Sequence, residues 1–599
     1  MNAARWPLPA LALSAALFAQ GVPAQSVSAS PQSLPAHDND TILSALRDEL
    51  KRSLTIKFDN LEKPYYIEYS LDDAATFNAM ASVGGLISSA PSRFRAPSVQ
   101  VRVGSYNFDN TNYVGSGFGG RTDMSPPLDD NYSVLRRYLW LATDSSYKAA
   151  VQTIARKRSA LKNVTQSEVI PDFSEGKPIR RIEPVRAEPF APDDWVEKIR
   201  ALSAVCLKYP ALANSLVEVQ AIRNVHYLVT SEGAEIRVPE NVMYIRARAS
   251  AQAPDGMLMR DSAMFHALKF GQLPVDADMS RQIAAMAENV LALTKAPIEE
   301  SYNGPILFEG QASAQLFAQA LGRNLALNRK PVTEPGRPGS FSSSELEGRI
   351  GARILPEWMD VVDDPTQKEW RGRPLFGHYT VDMEGVEPEP LTIVEKGVLK
   401  NFLLTRRPVK SYRKSNGRAR MPGNFGANTA AFGNLFIKAT ESVTPAALKT
   451  QMLEICKTRE KPYGIIVRKM DFPSSASFDE ARRILGQLTG SSQPISLPLL
   501  VYRAYPDGRE ELVRGMRFKG LNARSLKDIL AASNENYLFE FLDNPAPFAI
   551  MGAGSSISET AVIAPSVLID DLELQKIEQE YPKLPIVPAP DPEPSRAAR

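Results

Sequence analysis

Side chains that could bind a metal ion or transfer protons are few in this chain and lie far apart. No two of the four histidines, His37, His226, His266 and His378, lie within five residues of each other, so no local pair of imidazoles has metal-ligand spacing. Strand-like patterns around His226 and His378 favour hydrogen-bonded structural histidines. His266, in SAMFHALKFG, is predicted to lie in a loop, and we keep His266 and His378 as candidate substrate-binding residues.

Two further segments carry groups of charged side chains. Asp363 and Asp364, in VVDDPT, could bind a cation or act as acid and base, but such a pair also closes turns by capping backbone amides, and we favour the turn. The segment from Arg406 to Arg420 contains seven Lys and Arg residues. It could attract an acidic peptide or nucleic acid, but Tyr412 is its only aromatic residue, so we predict a solvated loop.

Neither the glycines nor the cysteines form a reactive motif. The segment YVGSGFGGRTD near Gly115 lacks the Lys-Ser/Thr ending and the following helix of a phosphate-binding loop, so we predict a flexible loop. Two cysteines, Cys206 and Cys456, exclude a disulfide framework and leave open whether they pair. Cys206 lies in the helical pattern DDWVEKIRALSAVCLKYP, where we expect a small buried side chain.

Charge and the N-terminal pattern bear on partners and localisation. Lys and Arg total 70 against 68 Asp and Glu, and the formal charge of +2 gives no global preference for nucleic acid, anionic lipid or acidic substrates. Arg5, a short apolar run and a small-x-small ending at Ala24 predict that residues 1–24 are a secretory signal peptide, so we expect an exported, periplasmic or secreted protein. A retained N-terminal anchor is the alternative. The rest of the chain has no apolar stretch of about 20 residues, so we expect no stable membrane anchor.

Hydrophobic periodicity predicts the elements that position these side chains in the first half. After a spacer at residues 25–39, a helix is expected from Asp40 to about Lys51, with Asp40 or Thr41 as its cap. Strands with antiparallel hairpins and two amphipathic helices then predict a mixed α/β region over residues 40–297. This region ends in a helix from Ser280 to Pro297 with Ser280 as the cap.

The second half reads as a different kind of domain. Short strands separated by Gly and Pro, with GHYTVDMEGVEP among them, predict a β-rich, barrel-like domain over residues 298–575. Residues 576–599 form a Pro-rich tail. The whole chain is therefore predicted to be α+β, with two or three domains.

Five segments of the second half follow one another in an order known from a protein family. They are Gly304-Pro305 with the Ala-rich helix after it, GRIGARILPEWMDVVDDPT, VDMEGVEPEPLTIVEKGVLKNFLLTRR, YGIIVRKM and LVRGMRFKGLNARSLKDIL. By these segments the chain resembles the TldD/TldE (TldD/PmbA) metallopeptidase-related family. The resemblance implies a mixed α/β N-terminal region followed by a β-rich C-terminal domain.

The resemblance also implies where a zinc site would lie. In the active TldD-type subunit the helix carries H-E-x-x-x-H, and a later cysteine completes the site. The stretch LFAQALGRNL places Ala318 and Arg323 at the histidine positions and Gln319 at the glutamate position, while Lys469 and Met470 stand where the cysteine is expected. Alanine has no lone pair, arginine has no acceptor, and glutamine is not a base. The resemblance therefore implies no metal site in this chain and no confident catalytic residue.

Three functions remain open at this point. The first is a zinc-free, TldE-like subunit that pairs with a TldD-like metalloprotease, which would hold the zinc, and helps to degrade peptides or unfolded polypeptide. The second is an active metallopeptidase with other ligands, such as His266 or His378 with Asp363. The third is a periplasmic peptide-binding scaffold. Arg323 could bind a substrate carboxylate through its guanidinium, although a surface arginine at a helix end is the simpler interpretation.

Overall fold

The computed structural model describes residues 40–114, 126–162, 168–185, 189–333, 344–422, 428–472, 495–543, 558–583 and 585 of the chain. The predicted signal peptide and spacer, His37, most of the glycine-rich segment and most of the Pro-rich tail lie outside these residues. Within the described part, no helix is both long and apolar enough to span a bilayer.

Among the described residues, the first half of the fold contains four helices and eight strands. The helices are α1 (Thr41–Ser53), α2 (Tyr132–Leu161), α3 (Pro192–Ala204) and α4 (Asp276–Lys295). The strands are β1 (Pro64–Ser82), β2 (Gly85–Ser105), β3 (Phe108–Asp109), β4 (Tyr113–Val114), β5 (Arg180–Ile182), β6 (Asn214–Thr230), β7 (Glu235–Gln252) and β8 (Leu258–Ala267).

Local sequence explains where the first and last of these helices begin. The Asp40 carboxylate accepts the backbone N–H of Leu43 at 3.0 Å, which confirms Asp40 as the cap of α1. Helix α4 begins at Asp276, so the prediction of Ser280 as its cap was wrong. Asp276 and Asp278 lie in its first turn, where negative charge favours the helix dipole.

A long antiparallel sheet organises this half. Its order is β3-β2-β1-β6-β7-β5, β8 pairs with β7, and β5 runs parallel to β7. One face is covered by α1 and α2 at one end of the strands and by α3 and α4 at the other. The opposite face packs on the second half through Ile222, Tyr244 and Leu228, which contact Phe376, Leu542 and Val381.

In the part of the second half that the structure describes, there are two helices and sixteen strands. The helices are α5 (Gln311–Leu316) and α6 (Pro445–Thr458). The strands are β9 (Ser301–Phe308), β10 (Val332–Thr333), β11 (Met359–Asp363), β12 (Glu369–Trp370), β13 (Arg373–Pro374), β14 (Leu391–Glu395), β15 (Val398–Leu399), β16 (Ala419–Pro422), β17 (Asn428–Ala430), β18 (Asn434–Ala439), β19 (Gly464–Met470), β20 (Pro498–Ala504), β21 (Glu510–Val513), β22 (Met516–Lys519), β23 (Ile529–Asp543) and β24 (Ser558–Lys576).

Strand β24 is the centre of an 11-stranded sheet. The order is β15-β14-β11-β18-β24-β9-β19-β20-β21, and β22 and β23 also pair with β24. Helix α6 covers one face through Leu448, Met452 and Cys456, while α5 lies in the main apolar cluster on β9, β19 and β24. The predicted succession of a mixed α/β region with antiparallel hairpins and a β-rich region is confirmed.

The structure gives outcomes for the strand predicted at GHYTVDMEGVEP and for the two cysteines of the chain. The segment GHYTVDMEGVEP forms no strand, because the Asp382 carboxylate accepts the backbone N–H groups of Glu384 and Val386 and so closes a turn. Cys206 is buried, as expected, in the apolar cluster under α3. Cys456 is buried in the separate cluster under α6, and both thiols are free.

Candidate functional site: a cleft between the two halves

The helix at the family's zinc position is a buried, apolar element. Strand β9 ends at Phe308, Gly310 turns the chain with φ of 55°, and α5 runs into a π-helical turn over residues Phe317–Leu321. Ala318 and Gln319 are only 3% and 2% exposed. The helix therefore packs against the central strands, and its polar side chains must find partners inside the protein.

Gln319 has such a partner. Its Nε2 donates to Ser496 Oγ at 2.7 Å, and its Oε1 accepts the backbone N–H of Ser496 at 2.9 Å. One helical turn earlier, Gln315 Oε1 accepts the backbone N–H of Met470 at 2.8 Å. These two amide side chains attach the helix to the chain segments beside it. A metal site at this position would instead require a free carboxylate and a thiolate.

The other positions are equally unsuited to zinc. Arg323 is half-buried rather than on the surface. Burial lowers the pKa of its guanidinium, and the Asp543 carboxylate acts in the opposite direction. Lys469 Nζ pairs with the Asp261 carboxylate and donates to the Ser262 carbonyl at 2.6 Å. The residues at the implied metal positions do not fit the ion. Across the described ranges, no three His, Cys, Asp or Glu side chains are grouped to hold a metal.

A cleft of about 760 Å³ opens beside this helix, between the two halves of the fold. Gln311 and Gln315 of α5 contribute to one wall, together with parts of β19 and β23. Strand β8 and the adjacent face of α4 also line the cleft. Eight consecutive residues, 261–268, line the cleft, and among the residues the structure describes β8 has a strand partner, β7, on one side only. An unpaired strand edge therefore faces a cleft.

His266 lies in this edge strand and not in a loop, which corrects the sequence prediction. Its ring is 4.9 Å from the ring of Phe376, across the boundary between the halves. Burial, with the nearby Arg246 guanidinium, lowers the pKa of His266 to about 3, so the imidazole is neutral. Its Nε2 is buried and has no hydrogen-bond partner in the structure.

Glu540 supplies the most perturbed carboxyl group of the cleft. Burial raises the pKa of Glu540 to about 7. The Arg373 guanidinium and the backbone N–H of Phe376 act in the opposite direction, and this N–H donates to Glu540 Oε1 at 3.2 Å. The cleft thus contains one neutral imidazole, one carboxyl group that titrates near neutral pH and charged side chains of both signs. Periodicity alone does not identify Glu540, because its burial depends on the packing of the two halves.

His378 and the paired aspartates have structural roles. His378 lies outside any strand, contrary to the prediction, and its Nδ1–H donates to the Pro365 carbonyl at 2.8 Å. Asp364 accepts the N–H and hydroxyl of Thr366, which confirms the predicted turn. Asp363 is fully buried and pairs with Arg418 at 2.8 Å. The structure does not bring these residues into the cleft with His266.

The basic segment from Arg406 to Arg420 is solvated, as predicted, only in its middle, where the Lys and Arg side chains of residues 410–414 are exposed. Arg406, Arg418 and Arg420 are buried, and each pairs with a carboxylate from a distant part of the chain. These partners are Glu232 for Arg406, Asp363 for Arg418 and Glu559 for Arg420, at 2.7, 2.8 and 2.8 Å. The segment therefore joins elements inside the protein and does not offer a continuous basic surface.

A small polar chamber of about 50 Å³ lies between the two halves, away from the cleft. Its charged lining residues are Asp72, His226, Glu240, Arg420 and Glu559. His226 Nδ1–H donates to Asp72 Oδ1 at 2.8 Å. Burial opposes charge on His226, but the Asp72 carboxylate outweighs it and raises the pKa of His226 to about 9, with Glu240 acting in the same direction.

His226→Gln is expected to remove a pH-dependent part of the stability. Because the folded pKa is about 9 and the unfolded value 6.5, the ion pair stabilises fully below about pH 6.5 and its contribution is lost as the pH rises through 9. We expect the free energy of unfolding, measured with urea, to fall between pH 6 and pH 10. This fall should be about 3 kcal/mol larger in the wild type than in the variant. Equal losses in both proteins would show that His226 is neutral in the folded state.

Comparison with known proteins gives a consistent assignment for the second half and the fold. Residues 301–470 match the family model described as the PmbA/TldA metallopeptidase C-terminal domain. Proteins named metalloprotease from Archaeoglobus fulgidus and Methanothermobacter thermautotrophicus are each 40% identical, over 78 and 63 residues, which are 13% and 10% of this chain. The chain spans 17% and 13% of the length of these curated relatives.

Solved structures resemble nearly the whole chain. One, described as TldE from Thermococcus kodakarensis, has a TM-score of 0.54 at 13% identity and covers 89% of this chain and 100% of its own. Another, described as a modulator of a DNA gyrase from Thermotoga maritima, has a TM-score of 0.53 at 15% identity and covers 85% of this chain and 96% of its own. At such identities the likeness concerns the fold.

Proposed function

Because the chain is a member of the TldD/TldE family of metallopeptidase-related proteins, we propose that it is a zinc-free, TldE-like subunit that binds extended peptides beside a zinc-bearing family member. The N-terminal pattern supports an exported, periplasmic or secreted location for this complex.

The observation that carries the proposal is the edge of β8 in the cleft beside α5, which has no strand partner among the described residues. An extended peptide can add to a strand edge through main-chain hydrogen bonds, while its side chains occupy the cleft. The cleft volume of about 760 Å³ is within the usual range of ligand sites. Meanwhile Ala318 and Arg323 offer no metal ligand, and Gln319 is held by Ser496. Peptide binding without metal chemistry in this chain accounts for both findings.

The deciding experiment measures zinc and peptide cleavage in the full chain, purified alone and after co-expression with a family member that retains H-E-x-x-x-H. Alone, we expect no stoichiometric zinc and no cleavage. Together, we expect a stable complex with zinc in the partner and chelator-sensitive cleavage of an unfolded polypeptide. Tightly held stoichiometric zinc in the chain purified alone would overturn the proposal. Peptide binding without assembly would instead support the periplasmic scaffold.

A variant tests the strand edge directly. Ala263→Trp should fill part of the cleft and lower the affinity for an extended peptide about tenfold or more, measured by fluorescence anisotropy with a labelled peptide. Ala90→Trp is the matched control, since Ala90 lies on the exposed part of β2, away from the two residues that pair with β3. Equal loss of affinity in both variants, or none in either, would remove β8 from the site.

A further inference from the structure

The small polar chamber between the two halves has a wall formed by one face of the long sheet. Phe94, Ala74, Asn224 and Glu240 pair in turn across the neighbouring strands β2, β1, β6 and β7, so they form one row. All four line the chamber. Residues paired in this way point to the same face, with about 5 Å between the Cβ atoms of neighbours. The register of the strands therefore places these four side chains around one space.

His226 and Asp72 extend this wall on the same face of the sheet. His226 follows Asn224 by two residues in β6, and Asp72 pairs with His226 across β1. Asp72 Oδ1 accepts from His226 Nδ1–H at 2.8 Å and from Asn224 Nδ2 at 3.0 Å. Because a carboxylate only accepts hydrogen bonds, these contacts fix which atom of the Asn224 amide is the nitrogen. The Asn224 oxygen is then left for another donor.

The second half of the fold closes the chamber with Met383, Arg420 and Glu559. Arg420 Nη2 donates to Glu559 Oε2 at 2.8 Å, and Arg420 Nη1 lies 4.0 Å from the Glu240 carboxylate of the sheet. The guanidinium thus lies between carboxylates of both halves. A ligand in this chamber would contact both halves at once.

Three buried polar atoms of the lining residues are unsatisfied. His226 Nε2, Asn224 Oδ1 and Arg420 Nε have no hydrogen-bond partner among the residues that the structure describes. His226 is 6% exposed and Arg420 8%. Although burial opposes its charge, the Asp72 carboxylate raises the pKa of His226 to about 9, so Nε2 carries a proton at neutral pH. The lining residues therefore offer two cationic N–H donors and one amide acceptor, which are costly to leave without partners.

The charges of the chamber restrict the kind of ligand. The Asp72 carboxylate balances the His226 imidazolium. Glu559 in turn balances Arg420, which leaves the Glu240 carboxylate as one excess negative charge. A simple anion is therefore disfavoured, and a simple cation would leave the two N–H donors without an acceptor. A ligand with one carboxylate and one ammonium group satisfies both requirements.

The size and the apolar lining of the chamber restrict the ligand further. A volume of about 50 Å³ has room for about three to five water-sized groups, which corresponds to a molecule as small as glycine or alanine. The remaining lining side chains are apolar, namely Ala74, Phe94, Ile222, Val242 and Met383. Water would satisfy the polar atoms, but it would gain nothing from these apolar walls. A carbon skeleton between the two charged groups of a ligand would pack against them.

We propose that this chamber binds a small free α-amino acid, of the size of glycine or alanine, as its zwitterion. The ligand carboxylate accepts hydrogen bonds from His226 Nε2–H and Arg420 Nε–H, and its ammonium group donates to Asn224 Oδ1 and the Glu240 carboxylate. His226 belongs to the first half and Arg420 to the second, so the bound amino acid joins the halves. It stabilises the folded chain, because the unfolded chain has no such chamber.

The test titrates the full chain with glycine and L-alanine at pH 7, by isothermal titration calorimetry and thermal unfolding. We expect saturable binding and a rise in the unfolding midpoint of about 2 °C or more at saturation. Acetate and methylamine, which each carry one of the two charged groups, should bind about tenfold more weakly or worse. L-Tryptophan should not bind, because it exceeds the chamber.

Each arm of this experiment has an outcome that contradicts the proposal. Methylamine binding as tightly as glycine would indicate a cation site, and acetate binding as tightly would indicate an anion site. Either result would overturn the assignment of a zwitterion. Equal binding of L-tryptophan would place the ligand outside the chamber. No saturable response to glycine or L-alanine would overturn the site itself.

Two variants locate the binding in the chamber. Ala74→Leu should fill it and abolish the response, whereas the matched control Ala75→Leu, on the other face of β1, should keep it. Glu240→Gln keeps the shape of a half-exposed side chain and should weaken glycine binding about fivefold or more, even if Ala74→Leu fails to fold. A full response in Glu240→Gln or in folded Ala74→Leu would overturn the site. The proposed function is unaffected by either result, because none of these residues lines the cleft.

Discussion

Asp363→Ala is expected to lower the free energy of unfolding by about 3–5 kcal/mol, since it leaves the buried Arg418 guanidinium without its counter-charge. Asp363 Oδ2 accepts from Arg418 Nε at 2.8 Å, and Oδ1 accepts the N–H of Gly433 at 3.0 Å. Burial raises the pKa of Asp363 although Arg418 lowers it, so the pair itself adds little net stability. The loss of stability comes from removing one partner, which leaves the other charge buried and unpaired.

Chemical denaturation of three variants checks this expectation. Asp364→Ala, at the neighbouring, partly exposed position, should cost only about 1 kcal/mol, because it removes one turn-capping carboxylate. The double variant Asp363→Ala with Arg418→Met should recover much of the stability lost in the single variant. A single-variant cost no larger than that of Asp364→Ala would mean that the guanidinium is solvated in the folded protein.

Gly377→Ala is expected to destabilise the protein by about 3 kcal/mol, with loss of folded protein at elevated temperature. A Cβ at Gly377 would overlap the carbonyl of Gly433 and lie 2.6 Å from Asn434 Oδ1. Neither the carbonyl nor the asparagine can move easily, because β18 begins at Asn434 in the central sheet.

Gly271→Ala is the control for this close approach. A Cβ at Gly271 meets no atom within 4 Å, so the thermal unfolding midpoint of this variant should stay near that of the wild type. Equal midpoints for Gly377→Ala and wild type would show that the two backbone segments can separate at little cost.

Elements whose partners are near in sequence could be predicted, and those with distant partners could not. The cap of α1 depends on a contact between Asp40 and Leu43. The burial of Arg406 and Arg420 depends on Glu232 and Glu559, which are 174 and 139 residues away. Sequence alone therefore predicts that a run of basic residues is solvated, because the carboxylates that pair with it lie on distant parts of the chain.

The candidate site shows the same limit. The residue types show that Ala318 and Arg323 offer no ligand atom and that Gln319 is not a base, but the sequence does not show that Gln319 bonds Ser496. The alternation before His266 predicts strands in this region, yet only the sheet order places β8 at an edge, and only the packing of the halves opens a cleft along it.

The unpaired edge of β8 has a consequence for selectivity. Main-chain amides are the same in every sequence, so binding through them does not depend on the identity of the side chains. It depends on whether a segment of the bound chain can adopt an extended conformation. A compact domain keeps its own amides engaged and cannot enter, whereas a damaged or unfinished chain can. Under the proposed function, such a cleft would sort polypeptides by their conformational state, and the proposed zinc-bearing partner would select the cleavage position.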